Sequence, residues 1–172
     1  MNKPASTIQY PIPKTKTLVL GLGNPILTDD GVGIQVVQAA AARRSPTDAV
    51  TFAEASVGGL RLLDFLVGYD RVVMVDAIRS HDGRPGEIYR LGPSDLAASI
   101  HSGSTHDLSF RETLDLGRRL GMALPEDKGI VILAVEVEDI STFGDSCTPA
   151  VAAAIPRVVD VVLAQLDPPP RS

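Results

Sequence analysis

Apolar and polar positions alternate along this chain in blocks whose period switches between that of a strand and that of a helix. Thr17 to Leu22 is a largely apolar run that predicts a strand, and Val32 to Ala42 follows with Val32, Val36, Val37 and Ala40 at helical spacing. Val50 to Ala53 reads as a second strand, after which Gly58 and Gly59 open a short helix carrying Leu60, Leu62, Leu63 and Leu66. Arg71 to Val75 is apolar enough to be a strand buried on both faces. Past a Gly83 to Gly86 turn, Glu87 to Leu91 alternates weakly, which predicts a strand near the sheet edge. Asp107 to Leu120 has leucines at 108, 114, 116 and 120 and predicts a helix ended by Gly121, and Ile130 to Val137 is the last strand. The final helix has Thr148 as N-cap, Pro149 at the first helical position and one stripe of Val151, Ile155, Val158, Val159, Val162 and Leu166, with Pro156 expected to kink it.

Strands separated by helices imply right-handed crossovers and a mostly parallel sheet. The predicted fold is therefore α/β: three layers, with a twisted, mainly parallel sheet of about five strands and helices on both faces, a phosphorylase/hydrolase-like arrangement. Residues 15–167 form one domain between a proline-bearing tail, 1–14, and a second tail, 168–172. No internal repeat and no second domain are seen.

Composition narrows the function. Lys and Arg number 16 against 21 Asp and Glu, a net charge of −5, and only 4% of residues are aromatic. That sign and that scarcity of stacking groups argue against a nucleic-acid partner. Cys147 is the single cysteine, so no intrachain disulfide forms and a reducing compartment fits. The amino terminus lacks an apolar core of signal-peptide length, and no segment has the roughly 18 uninterrupted apolar residues of a membrane span. The expectation is a cytoplasmic protein with no membrane insertion, a monomer in preference to an oligomer.

In a parallel sheet the carboxyl ends of the strands share one edge, where α/β proteins place their ligands. That edge collects Asn24, Asp29 and Asp30 after the first strand, Glu54 and Ser56 after the second, Asp76 after the third, and Glu136 to Asp139 after the last. So many carboxylates with few positive partners are costly unless protons or a metal ion compensate. Each also has a simpler reading. Asp30 stands where a helix N-cap would sit; Asp76 interrupts the apolar run Val72 to Ile78 and is either hydrogen-bonded or functional; Asp29 points to solvent or caps a turn. Of the histidines, His81 and His101 lie in polar loops, whereas His106 precedes a helix and is either an ordinary pre-helix residue or aimed at a cleft. Asp30, Asp76 and His106 together would form an O,O,N set suited to nickel or zinc. Gly21 and Gly23 make a G-x-G, but Ile26 holds the third glycine position of a dinucleotide fingerprint, so no nucleotide is expected. Cys147 stands next to a helix start, which could lower a thiol pKa, yet has no neighbouring histidine and reads as structural.

Taken together, GLGNPILTDDGVG, EASVGGL, MVDAI, GRPGEIYRL, STHDLSF and LAVEVEDISTFGDSCTPAV resemble, in order and spacing from Thr17 to Leu166, the hydrogenase maturation endopeptidases. Those enzymes remove a carboxy-terminal extension from the large subunit of nickel-iron hydrogenases. The resemblance implies that Asp30 and Asp76 are the family's two metal-contacting acids and catalytic candidates, an aspartic-type assignment, and that His106 is its histidine. It implies nickel recognised in the substrate and not permanently bound, and a large-subunit precursor as partner. Asn24, Glu54, Gly58 and Gly59 are implied on the substrate-binding side, although Glu54 replaces the Asp, and Ala55 and Ser56 the two glycines, of the family's Asp-Gly-Gly turn. Two alternatives stand beside it: a noncatalytic chaperone that recognises a metallated subunit, and a peptidyl-tRNA hydrolase, whose GLGNP is followed by histidine and asparagine where this chain has Thr28, Asp29 and Asp30.

Overall fold

The structure, a computed structural model, describes residues 15–44, 47, 49–95 and 109–166. Five strands, β1 (Thr17–Leu22), β2 (Val50–Ala55), β3 (Arg71–Ile78), β4 (Ile88–Leu91) and β5 (Ile130–Glu136), form one sheet in the order β2-β1-β3-β5-β4. All neighbours are parallel except β4, which pairs antiparallel with β5 at the edge. The helices are α1 (Val32–Arg43), the short α2 (Leu63–Leu66) continued from a 3-10 turn at Gly59–Leu62, α3 (Phe110–Arg119) and α4 (Pro149–Leu166).

Strand parity sorts the core into two layers. Val19, Val73, Val75, Ala77, Leu133 and Val135 point to the face covered by α1 and α4, whereas Leu18, Leu20, Val72, Met74 and Ile132 meet Leu63 and Leu66 of α2 and Phe110 and Leu114 of α3. The central strands β1, β3 and β5 are apolar on both faces because both are covered, as their composition predicts. α4 has the length and apolar composition of a membrane span, and its stripe of Val151, Val158, Val159 and Val162 is buried against the α1 layer.

Three boundaries differ from the sequence reading. β2 runs on to Ala55, so Glu54 lies inside that strand and not after it. β3 runs on to Ile78, so Asp76 lies inside the strand, in register with Ala134 of β5, and not after it. α3 starts after Ser109, whose hydroxyl accepts the Glu112 N–H while the Glu112 carboxylate accepts the Ser109 N–H, a reciprocal cap that fixes the start; positions 107 and 108 of the predicted helix lie outside the described residues. α4 continues through Pro156 as one 18-residue element with the ring on its exposed side.

β1 is followed by α1 on one face, leading outward to β2; the chain then returns through α2 on the other face to β3, on the opposite side of β1. The strand order thus reverses between β1 and β3. A crevice opens outside the carboxyl ends of the strands at such a reversal, and ligands of open α/β sheets bind there.

Candidate functional site at the strand reversal

Asp30 and Asp76 belong to the two elements that meet at this reversal. Asp30 sits in a 3-10 turn, Asp29–Gly31, that links β1 to α1 and packs against β3. Its position is dictated by glycines. A Cβ on Gly23 would lie 1.8 Å from the Asp30 carbonyl oxygen, and Gly23 adopts φ 139°, open to glycine. A Cβ on Gly33 would lie 2.3 Å from the Leu22 carbonyl oxygen and 2.4 Å from that of Val75, so the first turn of α1 is pressed onto the ends of β1 and β3. The glycines of the opening motif serve this close approach.

The Asp30 carboxylate does not cap α1. The N-cap position is Gly31, without a side-chain cap bond, and Asp30 Oδ2 instead accepts the Asn24 N–H at 2.8 Å. Asn24 closes the same turn, its Oδ1 accepting the Ile26 N–H at 3.2 Å. Asp76 is 1% exposed, and its Oδ1 accepts the N–H of Ala77 at 2.8 Å. By parity it lies on the α2 and α3 face of the sheet.

Asp29 does not point to solvent: it is 0% exposed, and its carboxylate accepts the N–H groups of Glu138, Asp139 and Thr148 and the Thr148 hydroxyl, at 2.7–3.2 Å. Of its two readings, solvent-facing or a cap, the second holds, in buried form: it caps the start of α4 from 119 positions away. Two further acids of the edge are engaged in structure. Glu136, 1% exposed, accepts the Ser80 N–H at 2.6 Å and its hydroxyl at 3.0 Å, and a Cβ on Gly83 would meet its Cδ at 2.1 Å. Asp139 is held down to about 2 by the Thr142 hydroxyl and by the Thr142 and Ser141 N–H groups.

Glu54 does not share the sheet face of Asp76. It pairs in register with Gly21, whose parity faces α1, and its Oε1 accepts a bond from Gln38 of that helix at 3.1 Å. Gly58 is extended and Gly59 has φ 59°, together opening the 3-10 turn into α2. Cys147 donates its Sγ–H to the Thr28 carbonyl at 3.6 Å, and burial with the nearby Asp29 carboxylate pushes its thiol up to about 11, opposite to the lowering a helix start could give. His106 lies outside the described residues, and among the described residues no group of three His, Cys, Asp or Glu side chains is placed to hold a metal ion.

The fold is that of a single-sheet α/β protein with Asp30 and Asp76 on the two elements that meet at the reversal between β1 and β3, and its sequence carries no complete nucleotide fingerprint. The profile of the HycI hydrogenase maturation protease family matches residues 34–165. The chain is 30% identical to the hydrogenase 2 maturation protease of Escherichia coli strain K12, over 88% of this chain and 90% of that one. It is 27% identical to the hydrogenase expression/formation protein HupD of Rhizobium leguminosarum, over 91% and 78%. The solved structure of the hydrogenase maturating endopeptidase HybD of E. coli superposes with a TM-score of 0.73 at 29% identity, over 89% of this chain and 93% of that one. This chain belongs to the hydrogenase maturation protease family, and is a hydrolase of the endopeptidase kind. Membership decides between the two GLGNP families weighed from the sequence.

Proposed function

We propose that this endopeptidase removes the carboxy-terminal extension of a nickel-iron hydrogenase large-subunit precursor after nickel has been inserted, and that Asp30, Asp76 and His106 recognise the metal in that substrate. The observation that carries the reading is the pair of acids at the strand reversal, one in the turn after β1 and one inside β3, with that turn packed on that strand. Two carboxylate oxygens and an imidazole nitrogen suit a borderline divalent ion, and three ligands leave positions for the substrate's own donors.

Peptide hydrolysis needs a base for the attacking water and a proton for the departing amine. Asp30 and Asp76 are the carboxylates that can take the water's proton, and the nickel of the precursor orients the cut beside them. Family membership supports a large-subunit precursor as partner, and the acidic net charge of −5 speaks against nucleic acid.

The test is mass spectrometry of the precursor's carboxy terminus after incubation with this protein, with and without nickel loading. Mass loss confined to the nickel-loaded precursor is expected. Equal cleavage of both forms would remove metal recognition, and binding without mass loss would favour a noncatalytic chaperone.

A further inference from the structure

The described surface carries exposed apolar side chains at Leu60, Val67, Leu120, Ile26, Ile140 and Phe143. Single exposed apolar residues are ordinary. The last three are different because they share one bonded unit. The loop after β1 and the loop after β5 are joined by an antiparallel bridge between Leu27 and Phe143, by the Gly144 N–H on the Ile26 carbonyl at 3.1 Å, and by the Thr28 N–H and hydroxyl on the Thr142 carbonyl at 3.0 and 2.7 Å. On this seam Phe143 is 79% exposed, Ile26 58% and Ile140 38%.

Resting on the function proposed above, we propose that Ile26, Ile140 and Phe143 form a docking ledge for an apolar, non-acidic segment of the precursor polypeptide next to the cut. Three features choose this occupant. The ledge is continuous with the candidate site: Asn24, two residues before Ile26, holds the Asp30 carboxylate, and Asp139, one before Ile140, accepts the Asp29 N–H. The ledge is preformed, its main chain already bonded, so little ordering opposes binding. The two loops themselves carry only acidic charge, since no Lys or Arg occurs between Lys16 and Arg43 or between Lys128 and Arg157 while Glu138 and Asp145 are exposed, the nearest strand-end cation being exposed Arg79 after β3; an acidic partner segment is disfavoured at the loops. A second copy of this chain fits less well, because three side chains fall far short of the roughly 800 Å² per partner of a standard interface.

The experiment uses the full chain and a nickel-loaded precursor, with binding read by interferometry and cleavage by mass spectrometry. The double variant Ile26→Ser, Phe143→Ser should weaken binding and raise the half-saturating precursor concentration by about tenfold, as loss of an aromatic anchor does, with turnover at saturation unchanged. Leu120→Ser, exposed but remote from the seam, should change neither. Phe143→Thr, which keeps the main-chain bridge, serves as the milder variant should the double one unfold. An unchanged binding curve and half-saturating concentration in these variants would overturn the ledge while leaving the protease reading intact. Wild-type binding without cleavage would sink the protease reading, and the ledge would then stand or fall on the binding curves alone. Self-association of the wild-type chain in light scattering, lost in the double variant, would assign the ledge to a second copy and overturn the proposal.

Discussion

Asp29 and Thr148 are joined by two hydrogen bonds, the Thr148 N–H to Oδ1 at 2.7 Å and the Thr148 hydroxyl to Oδ2 at 3.0 Å, across 119 positions of sequence. The same carboxylate holds the N–H groups of Glu138 and Asp139, so one buried acid fixes the turn that carries Asp30, the loop after β5 and the start of α4. Asp29→Ala leaves three part-buried N–H groups without their acceptor. Each orphaned group costs about 1–3 kcal/mol and a lost cap about 1 kcal/mol, so a loss of about 3 kcal/mol or more is expected in urea unfolding. A loss below about 1 kcal/mol would mean that water replaces the carboxylate.

Gly33→Ala should also destabilise, by a different route. The added methyl would meet two carbonyl oxygens at 2.3 and 2.4 Å, both in strand ends that cannot move apart without breaking the ladder. Overpacking of this kind costs about 3 kcal/mol, read as a fall in the unfolding midpoint, whereas Gly121→Ala meets no atom within 4 Å and is strained only through its φ of 80°.

Asp30→Ala and His106→Ala should leave the unfolding midpoint within about 1 kcal/mol of wild type, the worth of one hydrogen bond, while cutting precursor processing by at least about a hundredfold, the scale of a general base. Full processing by either variant would exclude that residue from the reaction; unfolding would assign it a structural role.

Cys147 should be slow to alkylate. Its thiol ionises at about 11 against an ordinary 9.0, so at pH 8 the thiolate fraction is roughly a hundredfold below that of the unfolded chain. Iodoacetamide labelling followed by mass should show that ratio between native and urea-unfolded protein. The raised value also sets the sign of the pH dependence. Cys147 costs nothing below pH 9, and its contribution is lost as pH rises from 9 towards 11.

The sheet, its helices and the acidic edge were legible because they rest on period and local order: β1, α1, β4 and α4 lie within a residue or two of where apolar spacing puts them. The start of α3 was also written locally, in Ser109 and Glu112 at capping-box spacing. What spacing could not reveal was the division of labour among the carboxylates. Asp29 reads as either solvent-facing or a turn cap, and spacing cannot choose between them because its partners lie 109 to 119 positions away. Glu54 and Asp76 read as edge-mates, yet register gives them opposite faces. Glu136 reads as the end of a strand, and only the pairing that brings Ser80 and Gly83 over it shows a buried acid tying down a loop.

The seam between Thr28 and Thr142 joins the ends of β1 and β5, two strands that are not neighbours in the sheet because β3 lies between them. The contact brings together residues more than a hundred positions apart, the kind of non-local pairing that slows folding. During synthesis the turn bearing Asp30 emerges early and can gain these partners only after Glu138, Asp139 and Thr148 have been made. A chain stopped before residue 138 retains Asp30 and Asp76 in its sequence but lacks the Glu138, Asp139 and Thr148 groups that hold the Asp29 carboxylate beside Asp30.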